Sequence, residues 1–216
     1  PVDGPLAIGD LDALVGTRPD GIVVPKAEGV ATITVVDALL AERGLADIPL
    51  LPIATETPAA IFQLGSYASV GHRLAGLTWG AEDLPAAIGA ATAREEDGRY
   101  TAPYELARSL TLFGAHAAGV AAIDTVYPAI RDEAGLAAYA ARAARDGFTG
   151  MMAVHPAQVA AINAAFTPTP EAVAKAQAIV DAFAAQPDAG ALQVDGRMVD
   201  APHLKQALRI LAGSGN

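Results

Sequence analysis

"GVAAIDTVYPAIRDEAGLAAYAARAARDGFTGMMAVHP", residues 119–156, holds the whole structural unit on which the reading of this chain turns. It opens on an apolar run at 119–127 and closes on another at 150–156. Between them, 132–146 reads as a helix, with Leu136, Tyr139 and Ala140 on one face and Arg142 and Arg145 elsewhere. Two continuous apolar strands joined by an amphipathic helix predict a parallel pair, because parallel strands are covered on both faces. The same beat recurs upstream. Strand-like runs occupy 21–26, 48–56 and 74–80, and helical stretches occupy 30–43, 58–70 and 103–118. Downstream, helices are expected at 156–166, begun by Pro156, and at 170–185. From Lys26 to Glu56 is 30 residues, from Glu56 to Asp83 is 27, and from Asp124 to His155 is 31. Each interval is about one βα unit, so the expected class is α/β with a parallel sheet.

Composition agrees. The hydrophobic fraction is 52% against 18% charged, which supports a sizeable core and argues against disorder. There is no cysteine, so no disulfide framework and no thiolate metal site. That fits a reducing compartment, and a cytoplasmic location is expected. The net charge is −10 and no basic run appears, which argues against a nucleic-acid partner. No apolar run is long enough for a membrane span. After Gln186 the pattern changes to turn signals, a strand-like "RMV" and a short helix, which reads as an appended segment. The expected organisation is therefore a main domain over 1–186 and a C-terminal segment over 187–216.

Lys26, Glu56, Asp83, Asp124 and His155 all fall at the C-terminal ends of expected strands. In open α/β sheets and in (β/α)8 barrels that edge carries the chemistry. Glu56 and Asp83, from successive strands, would converge there and could hold a hard divalent cation with waters and substrate oxygens. They could equally cap the helices that follow them. Lys26 could pair with a carboxylate or bind an anion. His155, flanked by Val154 and Pro156, reads as a hydrogen-bonded core histidine. Asp124 could orient a neighbour or cap a turn, and Trp79 reads as packing. No nucleotide-binding glycine loop, nucleophile elbow or zincin motif is present.

Five blocks in order, "GIVVPKAEG", "IATETPAAI", "LAGLTWGAEDLPAAIG", "GVAAIDTVYPAIRDEAGL" and "GFTGMMAVHPAQVAAINAAFTPTPEAV", resemble the citrate lyase β-subunit-like family. This is the CoA-ester lyase branch of the HpcH/HpaI aldolase superfamily. The resemblance implies a TIM-type (β/α)8 barrel with a C-terminal lid, and a homotrimer or hexamer. It implies a Mg²⁺-dependent carbon–carbon lyase, with Mn²⁺ as an alternative ion. Such an enzyme cleaves a malyl-, citramalyl- or citryl-CoA type of 3-hydroxyacyl-CoA thioester to a 2-oxo acid and acetyl-CoA. Glu56 and Asp83 match the metal ligands, and Asp200 in "GRMVD" matches the acid/base. Lys26 and Arg73 are candidates for contacting CoA. Relatives carry further βα units, with an Arg in an R-x-N block, ahead of the point matching residue 1. The barrel is thus expected to be incomplete within this chain. A class II aldolase acting on free 2-oxo acids and aldehydes, and a non-catalytic binding homologue, are the alternative expectations.

Overall fold

The computed structural model describes residues 1–214. Its first compact unit is Pro1–Ile162 and its second is Asn163–Asn216. The boundary drawn from the sequence at 186–187 lies inside the second unit.

The first unit is built on short parallel strands. They are β1 (Ile22–Val24), β2 (Leu50–Pro52), β3 (Gly76–Thr78), β4 (Ala121–Asp124) and β5 (Gly150–Met151). β1 pairs with β2, and β3, β4 and β5 pair in that order, all parallel. Parallel bridges Leu50–Leu74 and Ile53–Thr78 continue the series from β2 to β3. The Ala75 N–H donates to the Leu50 carbonyl and the Ala54 N–H to that of Thr78, each at 2.8 Å. Among the described residues, strand neighbours therefore follow chain order, with no reversal that would create the crevice of a doubly wound sheet. Among the described residues the sheet is open, with β1 and β5 at its edges.

The helices of this unit are α1 (Ala7–Leu14), α2 (Val30–Ala41), α3 (Pro58–Ile61), α4 (Leu84–Ile88), α5 (Ala102–Ala118) and α6 (Glu133–Asp146). The long ones fall where the apolar periodicity placed them. α5 turns Tyr104, Ala107, Arg108, Thr111 and Ala115 inward, the i, i+3, i+4 spacing of a single face. α6 buries Leu136, Ala140 and Ala143. α7 (Val159–Phe166) crosses the boundary between units, after a 3-10 turn at Pro156–Gln158.

The stretch 58–70 departs from the expected single helix. α3 stops after one turn and a 3-10 run, Leu64–Arg73, follows with a kink at Val70. The sequence there, "LGSYASVGHR", explains it. The Ser66 and Ser69 hydroxyls donate to carbonyls three residues back, at 2.6 and 2.8 Å, competing with the α-helical ladder. α1 is a further element that the alternating pattern does not announce.

In the second unit α8 (Pro170–Ala185) packs on α9 (Ala201–Gly213), and β6 (Ala191–Val194) pairs antiparallel with β7 (Arg197–Asp200). The Asp195–Gly196 pair between them has positive φ at both positions, 49° and 75°, as a two-residue hairpin turn demands. Among the described residues, no helix is long and apolar enough to cross a membrane.

Candidate active site

Three strand ends build the site. Two residues past β1, Lys26 adopts φ 53°, a left-handed conformation that costs a non-glycine residue about 1–2 kcal/mol. This turn aims its backbone N–H at Glu56, whose Oε2 accepts at 2.5 Å. The loop carrying Lys26 is held from below by the buried Tyr67 hydroxyl. That hydroxyl donates to the Ala27 carbonyl at 3.2 Å and accepts from the Gly29 N–H at 3.1 Å. Burial pushes the Tyr67 phenol up to about 12, so it stays protonated.

Glu56 follows β2 and is 8% exposed. It is not a helix cap: Thr57 caps α3, accepting from the Ala60 N–H at 3.2 Å. Thr55 ties this strand end to the next, since its hydroxyl accepts from the Gly80 N–H at 3.0 Å and donates to the Gly80 carbonyl at 3.2 Å. Gly80 lies flat against Glu56. A Cβ there would sit 2.8 Å from Glu56 Cγ and 3.1 Å from Ile53 Cγ2. Glycine is what allows the two strand ends to close up at this point.

Asp83 begins α4 but does not cap it with its side chain. The carboxylate instead accepts from Lys26 Nζ at 2.8 Å. Lys26, Glu56 and Asp83 are therefore brought together, and both capping alternatives give way. The pair is unequal. Burial pushes the Glu56 carboxyl above its usual range; the Lys26 N–H takes part of this back, and the charge of Asp83 adds to it. The hydrogen bond from Lys26 holds Asp83 below its usual range, and the same contact raises the Lys26 ammonium. Oxygen donors alone, two carboxylates beside an open cavity, fit a hard divalent cation that keeps several of its waters. Among the described residues no cluster of three or more His, Cys, Asp or Glu side chains competes with this pair.

The cavity beside them measures ≈ 180 Å³ and is lined by Ile53, Glu56, Thr78, Gly80, Asp83 and Met152, with Trp79 and Thr125 among the other contributors. Its back wall is anchored by hydrogen bonds. Trp79, 1% exposed, donates its indole N–H to Asp124 at 2.6 Å and packs edge-on to Tyr100. Asp124 is fully buried and accepts from Arg108 Nε and Nη2 at 2.9 and 2.7 Å, and from the Thr125 N–H at 2.8 Å. Arg108 also reaches Asp146 at 2.7 Å. Burial works against the Arg108 charge, but Asp124 and Asp146 outweigh it and raise the guanidinium further. Asp124 thus orients a neighbour, as expected of it, and Trp79 is packing with a polar anchor.

Other sequence candidates lie elsewhere. Arg73 precedes β3 and so sits at the opposite edge of the sheet. There it donates to Asp37 at 2.7 Å and to the Ile48 carbonyl at 3.2 Å. His155 is a correction: it is exposed rather than buried in the core, and its Nδ1 accepts from the Ala157 N–H at 3.2 Å, capping the 3-10 turn. The Pro after it starts that turn on the surface. Asp200 belongs to the second unit, at the head of α9, and its carboxylate contacts His203 Nδ1 at 2.5 Å. That hydrogen bond holds the Asp200 carboxyl below its usual range. The sequence pattern passed over Thr78, Gly80 and Arg108. A charged residue on the buried stripe of α5 was the one visible signal among them.

The profile of the HpcH/HpaI aldolase/citrate lyase family matches residues 1–156. A citrate lyase subunit beta-like protein of Mycobacterium tuberculosis is 34% identical over 206 residues, covering 95% of this chain and 71% of that protein. The mitochondrial citramalyl-CoA lyase of Rattus norvegicus is 40% identical over 144 residues, 66% of this chain and 41% of that protein. The crystal structure of the protein CitE from Mycobacterium tuberculosis, in complex with magnesium, acetoacetate and coenzyme A, superposes with a TM-score of 0.80. It is 31% identical, and the match covers 99% of this chain and 75% of that one.

Proposed function

The chain belongs to the HpcH/HpaI aldolase/citrate lyase family, and from that premise we propose that it is a Mg²⁺-dependent carbon–carbon lyase. Its substrate is a 3-hydroxyacyl-CoA thioester of the malyl-, citramalyl- or citryl-CoA type, and its products are a 2-oxo acid and acetyl-CoA. The observation that carries this reading is the convergence of Glu56 and Asp83 on one cavity at the C-terminal edge of the sheet, tethered by Lys26. The relatives named above are a citramalyl-CoA lyase and a protein crystallised with magnesium and coenzyme A, which supports the same chemistry. The parallel strands in chain order are read as the arc of a (β/α)8 barrel.

Glu56 and Asp83 would hold the cation, which when bound would supply Lewis-acid stabilisation of the negative charge that develops on the substrate's oxygens. Cleavage removes the hydroxyl proton, breaks the bond between the carbinol carbon and the acetyl Cα, and leaves the electron pair on a thioester enolate. The Lys26 amide fixes the Glu56 rotamer, so this ligand need not reorganise when substrate arrives. The Lys26 ammonium stands beside Asp83, where it meets an anionic substrate. The Asp124–Arg108 pair keeps Trp79 against the wall and water out of it. Asp200, on the lid of a neighbouring subunit in a homo-oligomer, takes up the hydroxyl proton as an ionised carboxylate and passes it to the enolate carbon.

The test is Mg²⁺-dependent release of acetyl-CoA from citramalyl-CoA and malyl-CoA by wild type, Glu56→Gln and Asp83→Asn, with Mg²⁺ binding measured by calorimetry. Turnover lost in both variants together with Mg²⁺ binding is expected. Turnover that survives either substitution, or cleavage of free hydroxy acids in place of the CoA esters, would sink the proposal.

A further inference from the structure

Thr78, the last residue of β3, is 1% exposed, and its hydroxyl has no hydrogen-bond partner among the described residues. The other fully buried threonines are satisfied. Thr55 bonds Gly80 in both directions, and Thr111 donates to the Ala107 carbonyl at 2.9 Å. Thr78 has no such outlet. Strand geometry denies it the carbonyl one helical turn back, and its own carbonyl is already taken by the Ala54 N–H. A buried hydroxyl left unmade costs free energy, and one that persists calls for a specific reason.

The pleat of the strand supplies the reason. Side chains alternate, so Thr78 and Gly80 share one face and Trp79 takes the other. Trp79 faces Tyr100 and Asp124. Gly80 faces Glu56. Thr78 therefore faces the side on which Glu56 lies, and it lines the ≈ 180 Å³ cavity together with Glu56 and Asp83, with Trp79 meeting that cavity at its wall. Ile53, Val126 and Met152 around it offer no acceptor through their side chains. At about 30 Å³ per water, the cavity has room for a small organic acid.

We infer that the Thr78 hydroxyl is a ligand-binding group, donating a hydrogen bond to a carboxylate or oxo oxygen of the small acid held beside Glu56 and Asp83. This deepens the lyase reading and rests on its assignment of that cavity to the 2-oxo acid. A hydroxyl waiting for a charged acceptor in a largely apolar wall favours acids that present an oxygen there over those that present a methyl group. Thr78→Val keeps the shape and removes only the hydroxyl. If the hydroxyl served the fold, Val would destabilise the protein. If it serves a ligand, Val leaves the ligand-free protein as stable or more stable and weakens the ligand.

The experiment uses the full chain, with thermal unfolding, Mg²⁺ calorimetry, and pyruvate calorimetry with and without Mg²⁺, on wild type, Thr78→Val and Thr78→Ser. For Thr78→Val the expected result is an unchanged or higher melting temperature, unchanged Mg²⁺ affinity and pyruvate affinity lower by about tenfold. Thr78→Ser restores the pyruvate affinity. A lowered melting temperature with wild-type pyruvate affinity would overturn the inference, as would absence of pyruvate binding in wild type. Pyruvate affinity that falls in Thr78→Val yet is indifferent to Mg²⁺ and to Glu56→Gln supports the role of Thr78 and overturns the metal reading alone.

Discussion

Gly80→Ala tests the site through the backbone rather than by removing a ligand. Gly80 does not have a positive φ, so alanine fits the local conformation and the whole effect is steric. The added methyl would meet Glu56 Cγ at 2.8 Å, Ile53 Cγ2 at 3.1 Å and Glu56 Cδ at 3.4 Å. Ordinary contact begins near 3.4 Å, so Cγ must retreat by about 0.6 Å. Because Cγ is near the root of the side chain, the carboxylate swings with it. The Lys26 N–H contact at 2.5 Å is the bond that movement stretches. Overpacking of this kind costs about 1–3 kcal/mol, and hydrogen bonds to charged groups contribute about 1.5–3 kcal/mol. We therefore expect a stability loss of about 1–2 kcal/mol and a Mg²⁺ dissociation constant raised about tenfold or more, equivalent to about 1.4 kcal/mol. Urea unfolding followed by the fluorescence of Trp79, the single tryptophan, gives the first number, and calorimetry gives the second. Shortening the clashing side chain should relieve the strain, so Gly80→Ala with Glu56→Asp should cost less than the two changes summed. Gly80→Ala with Mg²⁺ affinity within about twofold of wild type would refute the claim that this close approach sets the Glu56 geometry.

Two other perturbations address the wall of the site. Asp124→Asn leaves the buried Arg108 guanidinium facing a neutral amide, and losing one partner of a buried pair costs about 3–5 kcal/mol. Asp146 still engages Arg108, which puts the expected loss near the lower end, and a urea midpoint shift worth under about 1 kcal/mol would contradict the account. Burial opposes the Asp146 charge, but Arg108 and Arg145 outweigh it and hold the carboxyl below its ordinary value of 3.8. The folded-state value thus lies below the unfolded one, so the contribution is complete above about pH 4 and is lost as pH falls through the folded value. Wild type should exceed Asp146→Asn in stability at pH 6 and converge with it in acid. A gap that is constant from pH 6 to pH 2 would show that the charge is not the source.

The positions of the long elements were legible because they depend on period. The runs at 21–26, 74–80 and 119–127 are short, apolar and bounded by Gly or Pro, as strands are, and the stripe at 132–146 fits a helix. Carboxylates placed at strand ends by that beat pointed to one edge of the sheet as the candidate site, and Lys26, Glu56 and Asp83 do meet there. The run at 58–70 was misread because serine hydroxyls redirect the helical ladder locally, a competition that hydrophobic spacing does not register. His155 was misread because apolar neighbours in sequence say nothing about which way the chain turns after a strand only two residues long.

What the sequence by itself determined is therefore the alternation of strand and helix, the sheet edge bearing the candidate residues, and the family resemblance carried by five ordered blocks. Only the tertiary structure decided how those residues act on one another. Whether Asp83 caps a helix or faces Lys26 depends on the left-handed turn at Lys26 and on three strand ends closing together. Whether Thr78 is a satisfied strand residue or an unpaired hydroxyl depends on which face of β3 meets the cavity. Both are matters of direction across long sequence separations. A linear pattern fixes period, whereas the partner of a side chain is set by the packing that brings distant segments to within a hydrogen bond.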